Sequence, residues 1–213
     1  MNPAPSTPIS AADEGCALIG AGGHAGVVAA TLLSMGAPVR AVFDSDLARM
    51  GQTLGDVPVT EDANREDLPL HIAIGSNGAR RRIDAARPNA VWRTLIHPDA
   101  RIAPNVEIGD GSLIGMGALV QAGARIGRHV IVNTGAIVEH DNRIGDFAHI
   151  APGAVLSGDV QIGEGALVGA GSVILPGIRV GSWSVVGAGA VVTRAVGDGE
   201  TVVGVPAQAV SRP

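Results

Sequence analysis

From Ile102 to Val192 the chain places a branched aliphatic residue at every sixth position without an insertion: Ile102, Ile108, Ile114, Val120, Ile126, Val132, Val138, Ile144, Ile150, Leu156, Ile162, Val168, Ile174, Val180, Val186 and Val192. Four residues after most of these comes a small one, among them Ser112, Ala118, Ala124, Ala136, Ala148, Ala154, Ala166, Ser172, Ser184 and Ala190. An amphipathic helix or a half-buried strand loses phase with such a pattern, whereas a β-helix built of hexapeptides requires it. Three hexads make one triangular coil, with the aliphatic residue pointing inward and the small one filling the corner. The glycine that often follows the aliphatic residue, as in Ile108-Gly109 and Val168-Gly169, is read as serving the tight turns. Five coils stacked at the ~4.8 Å strand spacing give a prism on the order of 25 Å tall, each burying its face on the next.

The first part of the chain reads differently. "CALIG" (16–20) is a short apolar strand, "AGGHAG" a glycine turn, "VVAATLLSMG" (27–36) a helix closed by Gly36, and "VRAVFD" (39–44) a second strand ending on Asp44. After a hairpin-like stretch, "HIAIGSN" (71–77) gives another strand and glycine turn, "GARRRIDAA" a helix, and "VWRTLIHP" leads into the prism. Alternating strand and helix imply an α/β unit with a parallel sheet. Its size suits half of a doubly wound dinucleotide fold, a half-Rossmann-like domain. The expected divisions are a disordered N-terminus over 1–14, an α/β unit over 15–97, a β-helix over 98–195 and a tail over 196–213.

Composition narrows the chemistry. The formal charge of −5, with no basic run longer than three residues, argues against a surface that tracks nucleic-acid phosphates. All 15 cationic side chains are Arg, so lysine nucleophiles and Schiff bases are excluded. Cys16 is the single cysteine, which leaves neither a disulfide framework nor a cysteine-rich metal site. The opening "MNPAPSTPISAADE" lacks the features of a signal peptide and no later apolar run is long enough to span a bilayer, so a cytoplasmic protein is expected.

Two regions carry candidate chemistry. "GAGGHA", Gly20 to Ala25, fits G-x-G-x-x-[GA] between a strand and a helix, where the backbone N–H groups of Gly20, Gly22, Gly23 and His24 can hold a pyrophosphate. Asp44 at the end of the next strand is placed to accept a hydrogen bond from a ribose or a base. Gly75, Ser76 and Asn77 repeat the arrangement one strand later, with Asn77 read either as a cleft residue or as a helix N-cap. On the prism, residues 18 apart stack, so His140 lies between Ala122 and Gly158 at the outward third position of its hexad, with room for a ligand beside its ring. Asp141 or Glu139 could hold one ring nitrogen and leave the other to accept a proton. His149, in a column with Ile131 and Leu167, is read as packed, and His129, beside Arg128, as solvated. No metal site is expected, because no carboxylate or cysteine joins these histidines at ligand spacing.

The combination of "LIGAGGHAGVV", "FDSD", "AIGSN", "LIHP", the unbroken hexads with "VEHDNRIGDFAHIAPGA" and the tail "VVGVPAQAV" resembles the PglD/NeuD-type hexapeptide-repeat sugar acetyltransferases, over residues 16 to 210. The resemblance implies a left-handed parallel β-helix, a homotrimer with active sites between prisms, acetyl-CoA as donor and a nucleotide-linked amino sugar as acceptor. It implies His140 as general base with Asp141 beside it, Gly158 offering its N–H to the oxyanion, and His149 near the acetyl-CoA thioester. Ala170 and Ala188 are named with His149 and Gly158 as acetyl-CoA contacts. Among acceptors it favours the 4-amino group of GDP-perosamine, in the making of surface polysaccharide such as lipopolysaccharide, ahead of a UDP-linked 4-amino sugar. An O-acetyltransferase of sialic acid and a carbonic-anhydrase-like or purely structural β-helix are the other readings. With Cys16 as the only thiol, in the other domain, the amine is expected to attack the thioester directly.

Overall fold

The computed structural model describes residues 15–61 and 67–210. The expected disordered stretch 1–14 therefore lies outside the described residues. The first unit comprises β1 (Cys16–Ile19), α1 (Gly23–Ser34), β2 (Val39–Asp44), β3 (Thr53–Leu54), β4 (Val57–Glu61), β5 (Leu70–Ile72) and α2 (Asn77–Ala85). Its sheet runs β3-β4-β2-β1-β5 and is parallel except for the β3-β4 hairpin. Central β1 is apolar and buried along its whole length, as a strand covered on both faces must be.

Two boundaries differ from the sequence reading for one physical reason. Helix α1 begins inside the glycine turn, at Gly23, because the extended Gly22 caps it and leaves the first N–H groups open to the cleft. Helix α2 is capped by the Ser76 hydroxyl, which accepts from the Ala79 N–H at 3.4 Å, and Asn77 is its first residue. Glycine and asparagine are weak helix formers, so propensity alone ends both helices too late at the N-terminal side.

The second part is a parallel β-helix of three sheets in strict 18-residue register. A docking sheet stacks Leu95, Leu113, Ile131, His149, Leu167 and Val185. An apolar sheet stacks Arg101, Leu119, Ile137, Val155, Val173 and Val191. An arginine sheet stacks Glu107, Arg125, Arg143, Gln161 and Arg179. The hexad aliphatics and the small corner residues together form one continuous core; each fully buried Val or Ile adds about 1.5–3 kcal/mol.

The turns correct the reading of the glycines. The left-handed backbone falls at the fourth position of every hexad from Asn105 to Gly189, and that residue is not always glycine: His129, Asp141, Phe147, Asp159 and Trp183 also adopt it. The glycine directly after the aliphatic residue has another cause. A Cβ on Gly145 would stand 2.6 Å from the Glu164 nitrogen of the next coil, so this position is held to glycine by the close approach of backbones.

The two parts share a core, in which Cys16, Leu18, Val28 and Leu32 pack with Leu95, Leu113 and Ile131 of the docking sheet. A buried cation joins them. Arg80, on α2 and 1% exposed, donates to the carbonyls of Ile74 and Gly75 on its own side and of His129, Phe147 and Ala148 on the prism, and to the Asn77 Oδ1. Asn77 Nδ2 in turn donates to the Gly165 and Ala166 carbonyls at 2.9 and 3.1 Å. Arg80→Met keeps the stem but strands these carbonyls in a dry interface. Its unfolding free energy should fall by about 3 kcal/mol or more in urea titrations followed by circular dichroism. A loss under 1 kcal/mol would mean that water enters the interface and replaces the guanidinium.

Candidate active site

His140 sits at the corner where the apolar sheet passes into the arginine sheet, and its neighbour Asp141 is held at φ +63°. In this turn the Asp141 carboxylate lies 2.9 Å from His140 Nδ1, so Nδ1–H donates to it and the Nε2 lone pair points outward without a protein partner among the described residues. That hydrogen bond is the largest cause of the raised His140 pKa, with charge from Asp141 and Glu139 adding to it. Asp141 is thus the orienting acid, and Glu139 acts only at a distance. Gly158 lies one coil on, and a Cβ there would stand 2.5 Å from His140 Nε2. The imidazole rests on the bare backbone of Gly158.

The glycine turn opens on a cleft of about 300 Å³ lined by Gly20, Gly22, Gly23, His24, Asp44, Arg49 and Gly75. Asp44 does more for the protein than the sequence reading supposed. Its two oxygens accept from the Ala21 and Asp46 N–H groups at 2.8 and 2.9 Å, which pins the turn against β2. Arg49 was missed because it follows no motif. It donates to the Ala21 carbonyl at 2.9 Å and stands 3.5 Å from the Asp44 carboxylate, placing a guanidinium at the cleft wall.

A second cavity of about 530 Å³ adjoins the first at Gly75 and runs over the docking sheet, past Ser76, Asn77, His149, Leu167 and Trp183. His149 is half-buried there. Asn133 Oδ1 accepts from the Thr134 N–H at 2.8 Å, so its Nδ2 faces His149 Nε2 at 3.0 Å as donor. Nε2 is therefore the acceptor, and the proton sits on Nδ1. Ala170 and Ala188 stack on the exposed corner between the docking and apolar sheets. His129 overturns the expectation of a solvated residue. It is 0% exposed, edge-on to Trp92 and stacked on Phe147, with Nε2 3.0 Å from Asp84 Oδ1. The stacking column was visible in the sequence, but the docking of α2 over it was not.

The sequence-derived residues thus fall into separate groups. The cleft residues Gly20, Gly22, Gly23, His24, Asp44, Gly75, Ser76 and Asn77 adjoin His149 on the docking side. His140, Asp141 and Gly158 lie at the corner of the triangle opposite the docking sheet. Within one chain His140 does not reach the cleft.

The docking side holds its imidazoles neutral. Burial pushes His24, His71 and His149 down to about 4, with the Arg80 charge acting in the same sense. Burial also lowers His129 against the opposing pull of Asp84. At His24, His71 and His149 the unfolded chain takes up protons near pH 6.5 and the folded chain only near 4, so their stability is fully present above 6.5 and is lost as pH falls between those values. The melting temperature should hold steady from pH 8 to 7 and drop continuously toward pH 4.5. A flat profile to pH 4.5 would show that these rings are hydrated in solution.

Comparison with known proteins places this arrangement. Residues 16–85 match the PglD N-terminal domain and residues 90–180 the GMPPB C-terminal domain. The acetyltransferase domain of PglB from Neisseria gonorrhoeae is 36% identical, with 92% of this chain and 100% of that chain covered and a TM-score of 0.85. PerB from Caulobacter crescentus, solved with CoA and GDP-perosamine, is 38% identical over 92% of this chain and 97% of that one, with a TM-score of 0.86. WeeI from Acinetobacter baumannii is 28% identical over 91% and 98%, with a TM-score of 0.79. No curated protein sequence matches.

Proposed function

The chain belongs to the PglD-type family of sugar acetyltransferases, and from that premise we propose that it transfers an acetyl group from acetyl-CoA to the 4-amino group of a nucleotide-linked sugar, GDP-perosamine in the first instance. The observation that carries this reading is the His140–Asp141 pair laid on Gly158. It presents an oriented, unoccupied Nε2 directly beside a backbone with no side chain, which is the space a thioester and an attacking amine need. The amine nitrogen attacks the thioester carbon while His140 Nε2 takes an amine proton. The Gly158 N–H, which has no hydrogen-bond partner among the described residues, faces the oxyanion. Collapse breaks the C–S bond, the proton passes from His140 to the departing thiolate, and amide and CoA result. The nucleotide occupies the glycine cleft, with its pyrophosphate at the open N-terminus of α1 and beside Arg49. The same kinship supports a GDP-linked acceptor ahead of a UDP-linked one, since PerB carries GDP-perosamine and is similar over nearly its whole length.

The reading requires a second copy, because base and cleft lie on opposite sides of one prism. The apolar sheet supports this. Leu119, Ile137, Val155, Val173 and Val191 run up its outer surface, where the arginine sheet carries charge. We assign the apolar sheet to the contact of a homotrimer in which one copy's His140 faces a neighbour's cleft. Ile137→Glu should give a folded monomer in sedimentation velocity, with acetyl transfer abolished. A monomeric wild type at micromolar concentration would remove the shared site.

The direct test is thiol release from acetyl-CoA in the presence of GDP-perosamine, a UDP-linked 4-amino sugar and sialic acid. Acetylation of the sialic acid hydroxyl alone would replace the proposed reaction. His140→Asn should lower kcat by about 10² or more with both KM values little changed. Asp141→Asn leaves an oxygen that can accept from Nδ1–H but removes the carboxylate charge behind the raised His140 pKa, so the acid limb of the kcat profile should move to lower pH while the plateau falls. A His140→Asn enzyme with full kcat from pH 6 to 9 would reduce this residue to a spacer.

A further inference from the structure

At the corner beneath His140, the fifth hexad position reads Val106, Ala124, Asn142, Val160 and Ile178 in successive coils. One coil thus buries an amide where the others bury aliphatic side chains, and Asn142 is 0% exposed. Its Nδ2 donates to the Glu139 carbonyl at 2.6 Å and to the Ser157 carbonyl at 3.0 Å, and its Oδ1 accepts from the Val160 N–H at 3.1 Å. One coil below, where Ala124 stands, the turn is closed by its own bond from the Ala124 N–H to the Gln121 carbonyl at 3.4 Å.

The two carbonyls that Asn142 holds belong to significant peptides. The Glu139 carbonyl shares its peptide with the His140 N–H, and the Ser157 carbonyl shares its own with the Gly158 N–H. In a trans peptide the C=O and N–H point in opposite directions. Drawing the Ser157 carbonyl into the corner turns the Gly158 N–H outward, to the side on which the imidazole lies. The same amide sets the peptide from which His140 projects. We infer that Asn142 is a positioning residue that fixes the base and the oxyanion donor relative to each other across two coils, an inference that rests on the reading of His140 and Gly158 given above.

Packing alone does not account for the amide. Ser112, at a corner that carries none of the proposed catalytic groups, makes the two equivalent inter-coil bonds, to the Gly127 carbonyl at 2.8 Å and from the Val130 N–H at 2.9 Å. The bond to Glu139, within the turn that carries His140, is what Asn142 adds, so that one side chain holds that turn and the Ser157–Gly158 peptide of the next coil together.

The test uses two replacements whose shapes the solenoid already accommodates. Asn142→Val copies Val106 and Val160, and Asn142→Ser copies Ser112. With acetyl-CoA and GDP-perosamine, Asn142→Val should lose roughly 10- to 100-fold in kcat, less than the removal of a whole oxyanion donor. Both KM values should stay within about twofold, and the acid limb should stay in place because the His140–Asp141 pair is intact. Asn142→Ser should recover part of the rate. Folded Asn142→Val with kcat within about twofold of wild type would overturn the inference, as would a loss in both variants that only follows their fall in melting temperature. Should the valine variant not fold, the serine variant decides: reduced kcat at unchanged melting temperature supports positioning, and unchanged kcat refutes it. Failure of the parent reading shows separately, as full activity in His140→Asn.

Discussion

A left-handed residue at every sixth position is the constraint on which the molecule depends. It turns the chain at each corner, makes three turns equal 18 residues, and so brings residue n over residue n+18 from Leu95 to Val191, the register shortening to 16 where Thr201 stands over Val185. His140 meets Gly158 for that reason alone. Chemistry can then be built from stacked positions, much as it is built from facing side chains in a helical bundle.

The period made the prism legible in the sequence, together with the column of His140, Gly158 and Ala122 and the alternation of strand and helix before it. What stayed hidden were contacts that no period encodes. His129 looked exposed because its own coil says so, and it is buried because α2, Trp92 and Phe147 close over it. Asn142 drew no reading from the sequence, because a single polar residue at the fifth position is set apart only by comparison with the aliphatic residues that fill it in the other coils of its column. Arg80 sits in a run of three arginines, and nothing local distinguishes the one that turns inward from Arg81, which pairs with Glu164 and lies over Trp183.

The interface around Arg80 also decides how the enzyme can work. A buried guanidinium spread over five carbonyls and an amide oxygen ties the glycine cleft firmly to the prism. Closure of one part on the other is therefore not available as a way of excluding water. In the homotrimer proposed above, a neighbour's prism takes over that exclusion.

The side chains admitted at the left-handed positions are distributed unevenly. Gly117, Gly135, Gly153, Gly171 and Gly189 occupy every such position on the corner between the docking and apolar sheets, whereas His129, Phe147 and Trp183 stand on the corner facing α2 and Asp141 on the corner of His140. A side chain in this conformation costs of order 1–2 kcal/mol, somewhat less for Asp and Asn. The chain thus admits strained side chains on the corner that faces α2 and on the corner of His140, and none on the third. Conformational strain, tallied corner by corner, sets the bare glycine edge that carries Ala170 and Ala188 apart from the other two.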